Sequence, residues 1–290
     1  MMKDTIDCLI YERAPWLQSR TFFLRSVDSL LKSALSYWET LRTAEALETA
    51  SGSTILNRMS AEIAQDMEVT GLENIPRSGP ALIVANHPTG IADALFLYKA
   101  VAGIRPDLYF FANSDVLRVF PQLESQIAPV EWRKDKRNKA KTKLTLEYTK
   151  RAMQEGRLGV IFPSGRLAKR RWFSLIERAW MPSAVSIAKK HGVPIVPVHI
   201  SARNSILFYI LDIIHPTLRD ITLFNETLNK KNFHFSIQIG RPIYPETLEA
   251  DPVETTETVK KTVLNLNQKA FLTLRRVKRY RTLVSVLQKS

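Results

Sequence analysis

Ala81-Leu82-Ile83-Val84-Ala85-Asn86-His87-Pro88-Thr89-Gly90-Ile91-Ala92-Asp93 is the stretch whose reading decides the fold. Its opening run is apolar at every position and short, which fits a strand covered on both faces better than a helix. Pro88, Thr89 and Gly90 make a turn, and Asp93 leads into Ala94-Leu95-Phe96-Leu97-Tyr98, a segment that reads as a helix. A histidine at the carboxyl end of a strand sits where α/β sheets place their chemistry. The aspartate beyond the turn can fold back against the imidazole, set its tautomer and stabilise the imidazolium formed when it takes a proton. His87 is thus a candidate general base and Asp93 its orienting partner. The competing reading is a turn histidine followed by a helix N-cap aspartate.

Outward from this stretch, β-like runs at 67–70, 81–85, 108–112, 126–130, 158–162, 195–200 and 233–239 alternate with helical patterns near 91–102, 136–155, 182–191 and 218–228. Such alternation predicts an α/β fold, with a mostly parallel or mixed sheet flanked by helices. Residues 1–66 read as a helical N-terminal region in which Val27, Leu30, Leu31, Ala34, Tyr37, Trp38 and Leu41 form one apolar stripe. Ser51-Gly52-Ser53 reads as a break in that region, followed by a short helix from Ile55 to Ala64. A last helix is expected from about Pro252 to Val286. The predicted organisation is a helical region at 1–66, an α/β domain at 67–250 and a basic helix at 251–290.

The chain has 290 residues, 45% of them hydrophobic and 24% charged, an ordinary globular balance. Its lone Cys8 excludes a disulfide framework and a cysteine-based zinc site. His199 and His215 have no partners at metal-ligand spacing, and neither a metal nor a cofactor is expected. The N-terminus lacks the pattern of a secretory signal, and no apolar run reaches the roughly 18–20 residues of a spanning helix. The richest apolar run, Ile206 to Leu211, is cut short by Asp212 and His215-Pro216.

The net charge of +14 is the compositional outlier and favours acidic partners. Nine Lys and Arg and no acid fall between Lys260 and Ser290. Further clusters run from Arg133 to Lys143 and through Arg166, Lys169, Arg170 and Arg171, the last three reading as a surface for headgroups or donor phosphates. Nucleic acid is disfavoured, because neither a known binding motif nor stacking aromatics accompany the basic runs. Val263, Leu266, Ala270, Leu274, Val277, Tyr280, Val284 and Leu287 make one face of the last helix, a pattern suited to an anionic membrane surface or to packing on the sheet.

Three more blocks follow the first in order: Ala128-Pro129-Val130-Glu131-Trp132-Arg133, Phe162-Pro163-Ser164-Gly165-Arg166 and Val193-Pro194-Ile195-Val196-Pro197-Val198. Each lies at or beside the end of an expected strand, so the fold could gather them at one edge of the sheet. The series resembles the PlsC-like glycerolipid and lysophospholipid acyltransferases, whose blocks are His-x4-Asp, an Arg-containing segment, Phe-Pro-Glu-Gly-Thr-Arg and Val-Pro-Ile/Val-Val-Pro. Gly71-Leu72-Glu73-Asn74-Ile75-Pro76 and Ile239-Gly240-Arg241-Pro242-Ile243 extend the likeness, which covers roughly 68 to 243. Five residues rather than four separate His87 from Asp93. Gly90 can absorb the extra residue, and Asn-His-Pro-x-Gly-x-x-Asp looks like the variant of the hemolysin-like and ornithine-lipid-related branch. Ser164, Arg166 and Leu167 stand where the family has Glu, Thr and Arg.

The resemblance implies an O-acyltransferase that moves a fatty acyl group from acyl-CoA or acyl carrier protein to a hydroxyl of a lyso-lipid. It implies catalysis by His87 and Asp93, with Asn86, Arg133, Phe162, Pro163, Ser164, Gly165 and Arg166 at the substrate. Arg133 suits phosphate, which a guanidinium binds bidentately. A 1-acylglycerol-3-phosphate-like acceptor is the first expectation, and a lyso-ornithine or other lyso-lipid is favoured by the altered third block. The expected place is the cytoplasmic face of a membrane, peripheral or monotopic. A non-catalytic lipid-binding member of the same fold is the reading of another class.

Overall fold

The computed structural model describes residues 2–18, 36–131, 138–171 and 174–267. The N-terminal region folds into α1 (Met2–Arg13), α2 (Tyr37–Ala46) and α3 (Gly52–Ile63). The expected break between two helices is present, and the helix expected from Ile55 begins earlier, at Gly52. Ser51 is its N-cap, and its hydroxyl accepts from the Thr54 N–H at 3.2 Å. The part of the predicted stripe before Ser36 lies outside the described residues. Of the rest, Tyr37 and Leu41 are buried and Trp38 is exposed.

The strands and helices that follow are β1 (Met67–Thr70), β2 (Ala81–Ala85), α4 (Ile91–Val101), β3 (Tyr109–Asn113), α5 (Asp115–Val119), β4 (Ile127–Val130), α6 (Lys139–Gln154) and β5 (Leu158–Ile161). Then come β6 (Lys169–Arg171), β7 (Ser174–Ile176), α7 (Ser183–His191) and β8 (Ile195–Ser201). Next are α8 (Ile206–Ile214), α9 (Pro216–Ile221), α10 (Leu223–Leu228), β9 (Phe235–Ile239) and α11 (252–267). The remainder of the expected last helix lies outside the described residues.

Seven strands form one mixed sheet in the order β1-β9-β8-β2-β5-β3-β4. Pairings within the group β8, β2, β5, β3 and β4 are parallel, β9 runs antiparallel to β8, and β1 runs parallel to β9. β2 is central, and all five of its residues are buried. Alternation sends Ala81, Ile83 and Ala85 to one face, where α1 to α4 pack with Phe96 stacked on Phe235 at 3.7 Å between ring centroids. Leu82 and Val84 point to the other face, against Tyr148 of α6, Val185 of α7 and Val259 and Val263 of α11. The mixed α/β sheet flanked by helices is the architecture the sequence predicts.

Arg105 pins the edge opposite the strand ends that carry His87. Its guanidinium donates to the carbonyls of Pro76, Gly79 and Gly156 and forms two bonds with the Asp107 carboxylate. These partners lead into β2, β3 and β5, so a single buried fork fixes where three neighbouring strands begin. Burial pushes the Asp107 carboxyl up, but hydrogen bonding and charge from Arg105 outweigh it and hold it below its ordinary value.

Several elements depart from expectation. Ile206 to Ile214 is a helix, not merely an interrupted apolar run, and Ser205 caps it by accepting from the Phe208 N–H at 3.2 Å. The helix expected over 218–228 is split into α9 and α10. β6 and β7 form a small antiparallel hairpin that no apolar periodicity announces, since all of β6 is Lys and Arg and exposed.

Candidate active site

β2 delivers Asn86 and His87 to the carboxyl edge of the sheet, and β5, its neighbour, delivers Phe162 and Pro163 beside them. The Asn86 amide is fully engaged with the backbone of Ile200: it donates to the carbonyl at 2.9 Å and accepts from the N–H at 2.7 Å. Asn86 therefore ties the end of β2 to the end of β8 and fixes the direction in which the chain leaves the sheet.

The turn that follows is built around the Asp93 carboxylate, which is completely buried. Its Oδ2 accepts from the N–H groups of Thr89 and Gly90, both at 2.9 Å, and lies 2.9 Å from His87 Nδ1. Its Oδ1 accepts from the Thr89 hydroxyl at 2.5 Å. The aspartate thus caps α4 from its first turn and orients the imidazole with the same group. The two readings left open by the sequence, helix cap and histidine partner, are satisfied together. Gly90 makes this possible. Its φ of 96° and ψ of −127° lie in a region that only glycine adopts readily, which accommodates the longer His-to-Asp spacing.

Because a carboxylate oxygen only accepts, Nδ1 of His87 carries the proton and Nε2 keeps its lone pair. The ring stacks on Phe162 with centroids 4.3 Å apart and planes at 21°. Its side chain retains 18% exposure, so a reacting group can reach it. A neutral imidazole held by carboxylate and aromatic face, with Nε2 available, can take a proton from an alcohol.

The third block forms a tight turn against this pair. The Gly165 N–H donates to the Phe162 carbonyl and the Ala168 N–H to the His87 carbonyl, each at 2.9 Å. Pro163 is buried and its carbonyl accepts from the Met181 N–H. Ser164 donates its hydroxyl to the Arg166 carbonyl at 2.7 Å, closing the turn on itself. Arg166 is exposed. Leu167, at the family's arginine position, reaches the turn beside His87: a Cβ added at Gly90 would meet its Cδ2 at 3.3 Å.

One of the expected contributions differs. The fourth block is β8 itself, crossing the middle of the sheet with Ile195, Val196 and Val198 fully buried, so it builds the core instead of presenting side chains at the site edge. Arg133 lies outside the described residues. β4, the strand that precedes it in sequence, is three strand spacings from β2, about 14 Å in a sheet.

Sequence reading missed several groups that complete the site. Glu177, just after the hairpin, accepts from the His87 N–H at 3.2 Å and from the Trp180 indole at 3.1 Å. Asn204, buried beyond β8, donates to the Thr89 carbonyl at 3.4 Å. Glu226 and Lys230 form an ion pair at 3.0 Å with each side chain 1% exposed. Burial pushes the Lys230 ammonium below its ordinary value, and the charges of Glu226 and, more weakly, Asp93 oppose that fall. Glu226 also accepts from the Ser205 N–H at 2.7 Å, tying the start of α8 to this buried pair. Of these groups, only the i, i+4 spacing of Glu226 and Lys230 and the Ser205 cap leave a local sequence signal.

Residues 66–201 match the family described as Acyltransferase, so the domain that carries this site is of the acyl-transferring class. The lyso-glycine lipid O-acyltransferase of Phocaeicola vulgatus is 24% identical over 209 residues, covering 69% of this chain and 73% of the relative. The protein of the same description from Bacteroides thetaiotaomicron is 25% identical over 210 residues, covering 69% and 75%. The crystal structure of the 1-acyl-sn-glycerophosphate (LPA) acyltransferase PlsC from Thermotoga maritima covers 74% of this chain and 81% of its own, at 20% identity and a TM-score of 0.47. Over this domain the chain is similar to acyltransferases that act on lyso-lipids.

Proposed function

We propose that this protein is a lyso-lipid O-acyltransferase in which His87 is the general base and Asp93 holds it. The observation that carries the reading is the Nδ1-to-Asp93 bond, which leaves Nε2 as the acceptor on a side chain that is 18% exposed. Nε2 removes the proton from the acceptor hydroxyl as its oxygen attacks the thioester carbonyl. The carbon–sulfur bond then breaks, and the imidazolium returns the proton to the departing thiolate. Ester and free thiol result, with no covalent enzyme intermediate, since the thioester is already activated. Acyl-CoA and acyl carrier protein are both acidic and both suit a chain of net charge +14.

For the acceptor, we favour a lyso-lipid of the lyso-glycine kind over a 1-acylglycerol-3-phosphate. Leu167 puts an apolar side chain against the His87 turn where the family has arginine, and Ser164 spends its hydroxyl on its own turn. The site thus lacks two of the polar groups the family pattern sets there. The two relatives named for lyso-glycine lipids point the same way. Because such acceptors reside in a bilayer, the protein works at a membrane surface, with the cytoplasmic face as the proposed side. Among the described residues no helix is long and apolar enough to cross a membrane.

The test is an acyl-transfer assay of the purified full chain. Labelled palmitoyl-CoA and palmitoyl carrier protein are offered with lyso-glycine lipid, lyso-ornithine lipid and lysophosphatidate. The expected result is an O-acylated product, highest with lyso-glycine lipid. Absence of product from every pair would overturn the enzymatic reading, and a clear preference for lysophosphatidate would overturn the acceptor assignment alone.

A further inference from the structure

α8 carries an apolar face that nothing in the described structure covers. Ile206, Leu207, Ile210, Ile213 and Ile214 are all exposed, Ile213 by 86% and Ile206 by 73%. At about 100° per residue they fall within an arc of about 120°, opposite Phe208 and Tyr209, which are buried. The one acid of the helix, Asp212, lies outside that arc and is paired with Arg219 at 3.0 Å. Contiguous exposed apolar surface of this kind marks an interaction site.

The basic hairpin stands directly beside this helix. The Arg170 guanidinium sits over the Tyr209 ring, 4.8 Å from its centroid. Lys169, Arg170 and Arg171 of β6 are exposed, as is Arg203 just before the helix. Both elements also border the His87 turn. Ala168, preceding β6, donates to the His87 carbonyl, and Asn204, preceding α8, donates to the Thr89 carbonyl.

We propose that α8 and the β6–β7 hairpin together form the surface by which the protein docks on an anionic lipid bilayer, with the apolar arc entering the interface and the cations meeting headgroups. An apolar helix face rimmed by Lys and Arg is the pattern of interfacial binding. Charge decides against a second copy of the chain as the occupant, because two such faces brought together would oppose their own cations. The position of the surface gives it a purpose that rests on the lyso-lipid reading: a bilayer held there puts its lipids beside His87.

The test is flotation of the full-length protein with vesicles of phosphatidylcholine and with an equal mixture of phosphatidylcholine and phosphatidylglycerol. The wild type should float with the mixed vesicles, less so as salt is raised. Ile210→Asp with Ile213→Asp should lower its partition at least about tenfold. Lys169→Glu with Arg171→Glu should lower it about thirtyfold at low salt while leaving any weak binding to neutral vesicles. Circular dichroism melts of both variants establish that they remain folded, as their exposed positions lead one to expect. With a short-chain, water-soluble lyso-lipid the turnover of the Ile210→Asp, Ile213→Asp variant should match the wild type, which separates docking from chemistry. Unchanged flotation of both folded variants would overturn the proposal. So would a change of oligomeric state by size-exclusion chromatography with flotation intact, or a selective loss of turnover with the carrier-protein donor. Flotation reads the docking surface even if no acyl transfer is found.

Discussion

A buried carboxylate with four donors around it is a stringent demand on so few residues, and it separates the roles of His87 and Asp93. His87→Ala should lower acyl transfer by about 10²–10⁴-fold with little change in the melting temperature, since the ring is partly exposed and its partner keeps three other donors. Asp93→Asn should lose both activity and stability. An amide presents an NH₂ to donors that need acceptors, at a cost of about 2 kcal/mol or more. Urea denaturation beside the transfer assay checks the pair, and equal stability losses in the two variants would contradict this division. Gly90→Ala tests the turn itself. At φ 96° its methyl group is strained, and it would also press on Leu167 and Leu223 at 3.3 Å each, so a loss of about 1–3 kcal/mol and a drop in turnover are expected. His87 and Asp93 were legible in the sequence because their contact is made within one turn. Glu177 was not, because its bond to the His87 N–H joins positions 90 apart in sequence and exists only once the hairpin is placed.

At the scale of elements, the sheet strands were legible and the short surface pieces were not. β2 and β5 are unbroken apolar runs because the sheet is covered on both faces, and that signal survives without tertiary context. β6 is entirely Lys and Arg and gives no such signal, and α8 was obscured because its apolar residues fill more than one face. The fourth block coincides with β8, the strand expected at 195–200, and Pro197 sits in that strand's interior. The antiparallel seam between β8 and β9 carries a pH-dependent element. His199 is buried there, with Nδ1 3.2 Å from Gln238 Oε1. Burial pulls its imidazole below the ordinary 6.5, and the bond to Gln238 opposes this. The folded state therefore binds the proton less readily than the unfolded chain, so the stability this neutral histidine permits is present above about 6.5 and is lost as pH falls toward the depressed value. Thermal melts between pH 7.5 and about 5 should show a fall that His199→Gln flattens. An equal fall in the variant would assign it to other groups.

For the whole molecule, the question is whether the N-terminal helices and the α/β sheet are separate units. Sequence texture divides them at residue 66, and the family match begins at the same point. Packing runs across that division. Met2, Ile6 and Leu9 of α1, Leu41 of α2 and Ile55 and Ile63 of α3 belong to the same buried cluster as Ile83, Phe96, Phe110 and Phe235. A texture change in sequence reports how residues alternate along the chain, and it carries no information on whether two segments bury their apolar faces against each other. The shared cluster predicts a single cooperative unit in which damage to α3 is felt by the sheet. Ile55 is fully buried in it, and Ile55→Ala removes a branched side chain that surrounding residues refill only in part. The expected loss is about 2–5 kcal/mol. Far-ultraviolet dichroism and the fluorescence of Trp180, a buried residue on the opposite face of the sheet, should report the same shifted midpoint. A variant that retained the wild-type midpoint at Trp180 while losing helical signal earlier would show that 1–66 unfolds as a unit of its own.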